Sequence, residues 1–350
     1  MNSLKKFNYK NKYVLLRVDF NVPIDKKGKI KDSSRIKAAL PTIQHLIKNK
    51  AMVILITHLG KPKGKIVPEL KLDNVYKELK KLLKKNVYKL DDCLGGDIEE
   101  FIDKMVPGEV VLLENIRFYK EEEENNTSFA EELAKNADYY VNDAFATLHR
   151  AHASIESIPK YLPSATGLLV EKELQNLTKV LKPKKPFVWI IGGIKEDKIK
   201  AINIAAKKAD KVLVGSGLVD LVQIKKKNII LPVDFISDKK KNHLDIGPKT
   251  IKLFKENLKK AKTIVWNGPV GLFEKPKYAQ GTKSIAQFIA KTKAVKIIGG
   301  GESAEAINKF KLNKKMTWVS TGGGASLEFL LGKKLPGLTA LQRSFRRFKR

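Results

Sequence analysis

Short strand-like apolar runs alternate with longer amphipathic runs along this chain. YVLLRVD (13–19), AMVILITH (51–58), EVVLLEN (109–115) and DYYVND (138–143) carry too little polarity for a surface helix. The stretches beside them, SRIKAALPTIQHLIKN and FAEELAKN, repeat apolar residues at three- and four-residue spacing, which is the period of a helix with one buried face. Strands that are apolar at every position are buried on both sides, and repeated β-α-β order puts helices there. The chain is therefore predicted to be α/β, with doubly wound parallel sheets. A second series follows Pro183 and Pro186: FVWIIGG, DKVLVGS, NIILPV, TIVWNG, AVKIIGGG and MTWVSTGGG. Between the series, EKELQNLTKVL (171–181) reads as one long helix. This predicts a domain over 1–170, an interdomain helix over 171–182 and a second domain over 183–334, with the tail 335–350 packing back on the first.

At 350 residues, 43% hydrophobic and 30% charged, the chain has enough apolar material for two cores. No apolar run approaches the ~20 residues of a membrane helix, so no membrane partner is expected. The start, MNSLKKFNYKNKYVLL, enters a strand pattern without a signal-peptide core, and Cys93 is the sole cysteine. An intramolecular disulfide is excluded, and a reducing cytoplasm is expected. The net charge of +32 attracts polyanions weakly at low salt. Its lysines are dispersed over helix faces, as in KELKKLLKK (77–85), without the motif of a nucleic-acid module, so no specific nucleic-acid binding is expected. The tail RSFRRFKR is either a polyanion-binding arm or a helix end packing its two Phe residues.

Two glycine triplets, Gly299-Gly300-Gly301 and Gly322-Gly323-Gly324, each follow a strand and open a helix. Such turns let successive N–H groups converge on an anion at the positive end of the helix. In the first half, Asp19, Asn21, Arg35, His58, Lys61, Arg117, Arg150 and His152 fall at or after strand ends, where ligands of parallel sheets bind. The cations among them suit a small molecule with several negative charges. Asp19 and Asn21 either hold hydroxyls or cap a turn. In the second half, Lys195, Lys198 and Lys249 can neutralise a polyphosphate, and Glu274 can accept from ribose hydroxyls. Glu302 is either a carboxylate for a magnesium ion bridging phosphates or a first-turn acid on a helix dipole.

RVDFNVP, HLGKPKG, LLENIRFYKEEE, YVNDAFATLHRAHAS, LDIGPKTI, WNGPVGLFE and STGGGASLEFL, in that order, resemble the sequence blocks of the phosphoglycerate kinase family over nearly the whole chain. The resemblance implies two Rossmann-like domains with a hinge, acting as a monomer with Mg2+. The first domain would take 3-phosphoglycerate or 1,3-bisphosphoglycerate through Asp19, Asn21, Arg35, His58, Lys61, Arg117, Arg150 and His152. The second would take ADP or ATP through Lys195, Lys198, Lys249, Asn267, Glu274, Gly299, Gly300, Gly301, Ser303 and Gly324, with Glu302 on the metal. Arg35, Lys195, Lys198, Gly322 and Gly323 would serve the transfer itself, after hinge closure.

The chain departs from that pattern in four places. Lys61 stands where the family has Arg, GGIKEDKI is one residue short, and Glu302-Ser303 replaces Asp-Thr. Two stretches of the second domain, after GSGLVDLVQ and between PVDF and LDIGPKT, are abbreviated, so the adenine is expected to be less enclosed. A relative that has lost catalysis and kept binding, or a protein devoted to polyanions, are the alternatives. Retention of the arginine set argues against the former and dispersed charge against the latter.

Overall fold

The computed structural model describes residues 2–25, 28–194, 197–223 and 226–348. The chain forms two compact units, Met1–Lys172 with Lys334–Arg350, and Glu173–Lys333.

The strands of the first unit are β1 (Asn2–Ser3), β2 (Tyr13–Arg17), β3 (Met52–Ile56), β4 (Val87–Lys89), β5 (Val110–Leu112), β6 (Tyr139–Asn142) and β7 (Ser164–Thr166). They make one parallel sheet in the order β1-β7-β6-β2-β3-β5-β4. Its helices are α1 (Ser34–Lys48), α2 (Asp73–Leu83), α3 (Gly96–Asp103), α4 (Lys120–Glu123) and α5 (Thr127–Lys135). Successive strand residues point to opposite faces, and the two cores divide accordingly. Val14, Leu16, Val53 and Leu55 pack with Ile36, Ile43 and Leu46 of α1 and Val75 and Leu79 of α2. Leu15, Met52 and Ile54 pack on the other side with Ile98 and Ile102 of α3 and Phe129 and Leu133 of α5. Both faces are buried, which is why these runs carry no polar alternation.

Helix α6 (Leu168–Leu181) runs through the boundary between the units. It begins three residues before the predicted 171 because a distant carboxylate caps it. Asp143 Oδ1 accepts from Leu169 N and Val170 N at 2.8 and 3.2 Å.

In the second unit β8 (Phe187–Ile191), β9 (Lys211–Val214), β10 (Ile229–Ile230), β13 (Thr263–Asn267), β14 (Val295–Gly299) and β15 (Trp318–Val319) form a parallel sheet in the order β10-β9-β8-β13-β14-β15. Helices α7 (Asp197–Lys208), α8 (Pro248–Leu258), α9 (Gln280–Lys291), α10 (Gly301–Lys309) and α11 (Gly324–Leu331) belong to this unit. Val188, Ile190, Ile264, Trp266 and Ile298 pack with Phe254 and Leu258 of α8 and Ile285 and Ile289 of α9. The remaining strands, β11 (Phe235–Ser237) and β12 (His243–Ile246), pair antiparallel. This hairpin lies outside the β-α-β series read from the sequence. It closes the abbreviated link before α8 with a tight turn, in which Asp238 Oδ1 accepts from Lys240 N and Asn242 N at 2.9 and 3.0 Å.

Helix α12 (Pro336–Arg347) returns to the first unit. Leu341 enters that core, Ser344 Oγ donates to Leu162 O at 2.9 Å, and Phe345 and Phe348 are half-buried.

Candidate active site

In the first unit the predicted residues lie after β2, β3, β5 and β6, which are spatial neighbours in the order β6-β2-β3-β5. Adjacent strands are about 4.8 Å apart, so their four carboxyl ends span only about 14 Å. That adjacency brings together groups far apart in sequence.

Arg35, in the first turn of α1, donates to the carboxylate of buried Asp19. Asn21 Oδ1 accepts from Gly60 N at 2.9 Å, and Arg117 Nη1 donates to Gly60 O at 2.9 Å. Gly60 is gripped on both sides at φ 65°, where an added Cβ would meet Leu70 at 2.8 Å. Arg117 is 2% exposed, with its Nε 3.3 Å from Glu123. Its pKa is pushed down to about 10, by burial first and then, against the pull of Glu123, by Arg150 and Arg17. His152 Nδ1 lies 3.6 Å from Glu122, whereas Lys61 is exposed and Arg150 half-buried.

Sequence reasoning missed Arg17, which is 0% exposed at the end of β2. Its Nε donates to Ser154 Oγ at 2.8 Å, its Nη1 to Val18 O, and its Nη2 lies 3.2 Å from His58 Nδ1. Ser154 in turn donates both N–H and Oγ–H to buried Glu122, at 2.8 and 2.7 Å. Burial raises the Glu122 pKa, but the His152 contact, the Arg17 charge and the Ser154 bonds outweigh it and leave the carboxyl below its usual range. The only signal in the sequence was one charge closing the apolar run YVLLR.

Arginine has donors only, so His58 Nδ1 accepts, and the ring proton sits on Nε2. Burial, followed by repulsion from Arg17, Arg117, Arg35 and Arg150, holds the His58 pKa well below 6.5. Four guanidinium groups thus act on one neutral ring, a concentration of positive charge that attracts an anion. A base with a depressed folded pKa binds fewer protons folded than unfolded. Its contribution to stability is therefore present above pH 6.5 and is lost as the pH falls below it. His58→Gln is expected to flatten the pH dependence of urea unfolding between about pH 5 and 7. An unchanged slope would place the acid sensitivity elsewhere.

The second unit repeats the arrangement at the carboxyl ends of β8, β13, β14 and β15, again neighbours in the sheet. A cavity of 260 Å³ there is lined by Gly193, Lys198, Asn267, Gly268, Gly300, Gly301, Glu302, Ser303, Gly323 and Gly324. Helices α10 and α11 begin at its wall, with N-caps Gly300 at φ 93° and Gly323 at φ 52°. Their free N–H groups and dipoles favour an anion. Lys198 Nζ donates to Asn267 Oδ1, while Asn267 Nδ2 is buried with no hydrogen-bond partner among the described residues. Ser303 Oγ accepts from Gly268 N at 2.6 Å, which pins β13 to α10.

A second cavity of 230 Å³ shares Gly193, Ile194 and Glu302 with the first and is lined further by Gly217, Leu244, Val270, Leu272 and Glu274. Its wall is mainly apolar. Gly299, Gly322 and Lys249 line neither cavity. Lys249 opens α8, where its N–H donates to Asp234 at 2.9 Å and its side chain is exposed. Lys195 lies outside the described residues.

Comparisons with known proteins agree with this geometry. The family profile described as phosphoglycerate kinase matches residues 4–230 and 218–333. The phosphoglycerate kinase of Dictyoglomus turgidum is 46% identical over 388 aligned residues, covering 97% of this chain and 98% of the relative. That of Moorella thermoacetica is 43% identical over 387, with the same coverage. Among solved structures, the phosphoglycerate kinase of Pyrococcus horikoshii OT3 superposes with TM-score 0.88 at 35% identity, covering 99% of this chain and 100% of that one. The enzyme from Coxiella burnetii gives 0.82 at 35% identity, covering 98% and 99%. The alignments are longer than the 350 residues of this chain, so the relatives carry residues that it lacks. The two family segments meet at residues 218–230, beside the 3-10 turn Ser216–Leu221. By sequence, by fold and by the arrangement of its strand ends, the chain belongs to the phosphoglycerate kinase family.

Proposed function

We propose that the first unit binds the phosphoglycerate and the second the nucleotide, for the reversible phosphoryl transfer between 1,3-bisphosphoglycerate and ADP that a phosphoglycerate kinase catalyses. The observation that carries this division is a difference in anion chemistry. Four arginines surround a neutral His58 in the first unit, whereas glycine turns, helix N-termini and an adjoining apolar cavity occupy the second. Forked guanidinium groups suit the carboxylate and phosphate of a small sugar acid. Backbone amides beside an apolar slot suit a diphosphate carrying a base.

In this reading Arg117, Arg150, Lys61 and His152 hold the phosphoglycerate anion, His58 donates through Nε2–H, and Asp19 and Asn21 set the orientation. Arg35, aligned by Asp19, faces the transferring group. Lys195, Lys198 and the amides around Gly322, Gly323 and Gly324 receive the phosphates, together with Asn267, Gly299, Gly300, Gly301 and Ser303. Glu274 takes the ribose, and Lys249 serves the nucleotide from the start of α8. The protein works as a cytoplasmic monomer. Donor and acceptor are bound by different units, so transfer requires the units to bring their ligands together, which also excludes water.

The donor set fits magnesium held mainly by the nucleotide. Glu302 is exposed in the first turn of α10, and its Oε2 lies 3.8 Å from the position a Gly193 Cβ would take. Among the described residues no group of three or more His, Cys, Asp or Glu could hold a metal alone. Magnesium commonly binds through one or two carboxylates plus substrate phosphates and water. When bound, it would neutralise charge on the phosphate oxygens.

Coupled measurement of ATP formation from 1,3-bisphosphoglycerate and ADP tests the whole reading, and no turnover would overturn it. Glu302→Ala is expected to raise the magnesium concentration for half-maximal turnover about tenfold or more, equivalent to ~1.4 kcal/mol. Magnesium-dependent ADP binding, followed by calorimetry, should shift equally. Wild-type metal dependence would remove Glu302 from the metal site.

A further inference from the structure

The amino ends of β8, β13 and β14 border a groove that the phosphoryl-transfer reading does not use. Its volume is 600 Å³, and Lys184, Lys259, Lys260, Lys262, Lys291 and Lys293 line it. Six of its eleven lining residues are lysines and none is acidic, whereas Lys and Arg together make up 69 of the 350 residues. The cluster therefore exceeds what the basic composition delivers to an arbitrary patch. All six are exposed, and among the described residues none forms an ion pair. Six unpaired ammonium groups around one depression repel one another, and a bound anion removes that repulsion.

The groove is separate from the candidate nucleotide site. Lys184 precedes β8, Lys262 precedes β13 and Lys293 precedes β14, whereas the glycine-lined cavity follows the same strands. β13 is five residues long, which sets the two sites roughly 15 Å apart across the sheet.

The lining also limits what the anion can be. It contains no arginine, so there is no planar fork, and its one aromatic residue, Phe288, is half-buried. Single-stranded nucleic acid uses aromatic stacking platforms as well as charge, and these are lacking. Lysines act as point charges and recognise phosphoryl oxygens without demanding a shape. The volume lies within the ~300–1,000 Å³ of small-molecule sites. We propose that this groove binds a compact anion bearing three or more phosphoryl groups, of which inorganic polyphosphate is the simplest.

The test is calorimetric titration of inorganic tripolyphosphate into the full chain at about 0.15 M salt, where long-range attraction is screened beyond ~8 Å. The combined variant Lys260→Gln, Lys291→Gln, Lys293→Gln is expected to bind at least about tenfold more weakly, with turnover of 1,3-bisphosphoglycerate unchanged. A variant with the same charge change on α2, at exposed Lys77, Lys80 and Lys81, should bind as wild type. Equal weakening in both variants would reduce the effect to net charge and overturn the proposal. So would weakening by Lys198→Ala with none from the groove variant, because tripolyphosphate would then occupy the candidate nucleotide cavity. Tighter binding of a short single-stranded oligothymidine at the groove would make nucleic acid the occupant and also overturn it.

Discussion

Arg35→Ala is expected to lower kcat by roughly 10²–10³-fold while changing the KM for the phosphoglycerate far less, as is seen when one donor to developing negative charge is removed. Arg35 sits in the first turn of α1, and Asp19, 8% exposed beside it, fixes its direction. A guanidinium held in place before the reaction needs no reorganisation when charge spreads over the transferring oxygens, so its effect is concentrated in the transition state. Its side chain is 30% exposed, but its loss leaves the buried Asp19 carboxylate without its ion-pair partner, so some loss of stability should accompany the kinetic effect. Arg35→Lys should recover only part of the rate, because an ammonium cannot meet Asp19 and a phosphoryl oxygen with one planar fork. Steady-state kinetics in both reaction directions check this. A raised KM with intact kcat would make Arg35 a binding residue only.

Glu173→Ala is expected to destabilise the second unit by about 3–5 kcal/mol, since each buried donor left unsatisfied costs ~1–3 kcal/mol and several are left together. Glu173 lies on α6 and is 0% exposed. Its carboxylate accepts from Trp318 Nε1 and Ser320 Oγ, both at 2.7 Å, and from Thr321 N and Oγ1 at 2.8 and 2.9 Å. Ser320 Oγ in turn accepts from Gly322 N at 3.1 Å and lies 2.5 Å from Ser326 Oγ. Removing the carboxylate orphans four donors at once and releases the loop that carries Gly322, Gly323 and Gly324. Thermal unfolding followed by Trp fluorescence should show a midpoint lower by roughly 10 °C. Glu173→Gln, which keeps the shape and one acceptor oxygen, should lose about half as much. A loss within about 0.5 kcal/mol would mean that the loop is held by its other contacts.

Some features were legible because they are written locally. The stretches 13–16, 52–56 and 264–266 carry no charged or amide side chain, and they become the bodies of β2, β3 and β13, covered on both faces. The strands that escaped notice, β1, β4 and β7, are two or three residues long and lack a distinctive pattern. The β11–β12 hairpin is short as well, and its turn is carried by one aspartate whose bonds reach no further than four residues.

Residue types at strand ends were also readable, since Arg117 and Asn267 stand where their runs stop. Their roles depend on contacts that no local pattern encodes. Arg17 looked like an ordinary strand terminus, yet it is fixed by Ser154, 137 positions away, and Glu122 reaches the same serine across 32. The lysine groove gathers residues from 184 to 293 that look dispersed along the chain.

The sequence by itself determined the α/β class, the two series of strands and the residue types available at each strand end, because backbone preference and side-chain period act within a few residues. Only the tertiary structure decided which ends became neighbours. Chain order is β2, β3, β5, β6, whereas the sheet places β6 beside β2, and this puts Ser154, which follows β6 and binds Glu122, within hydrogen-bond reach of Arg17. Strand order follows from packing helices over both faces of one sheet, a free energy summed over the whole unit, so no single segment carries it.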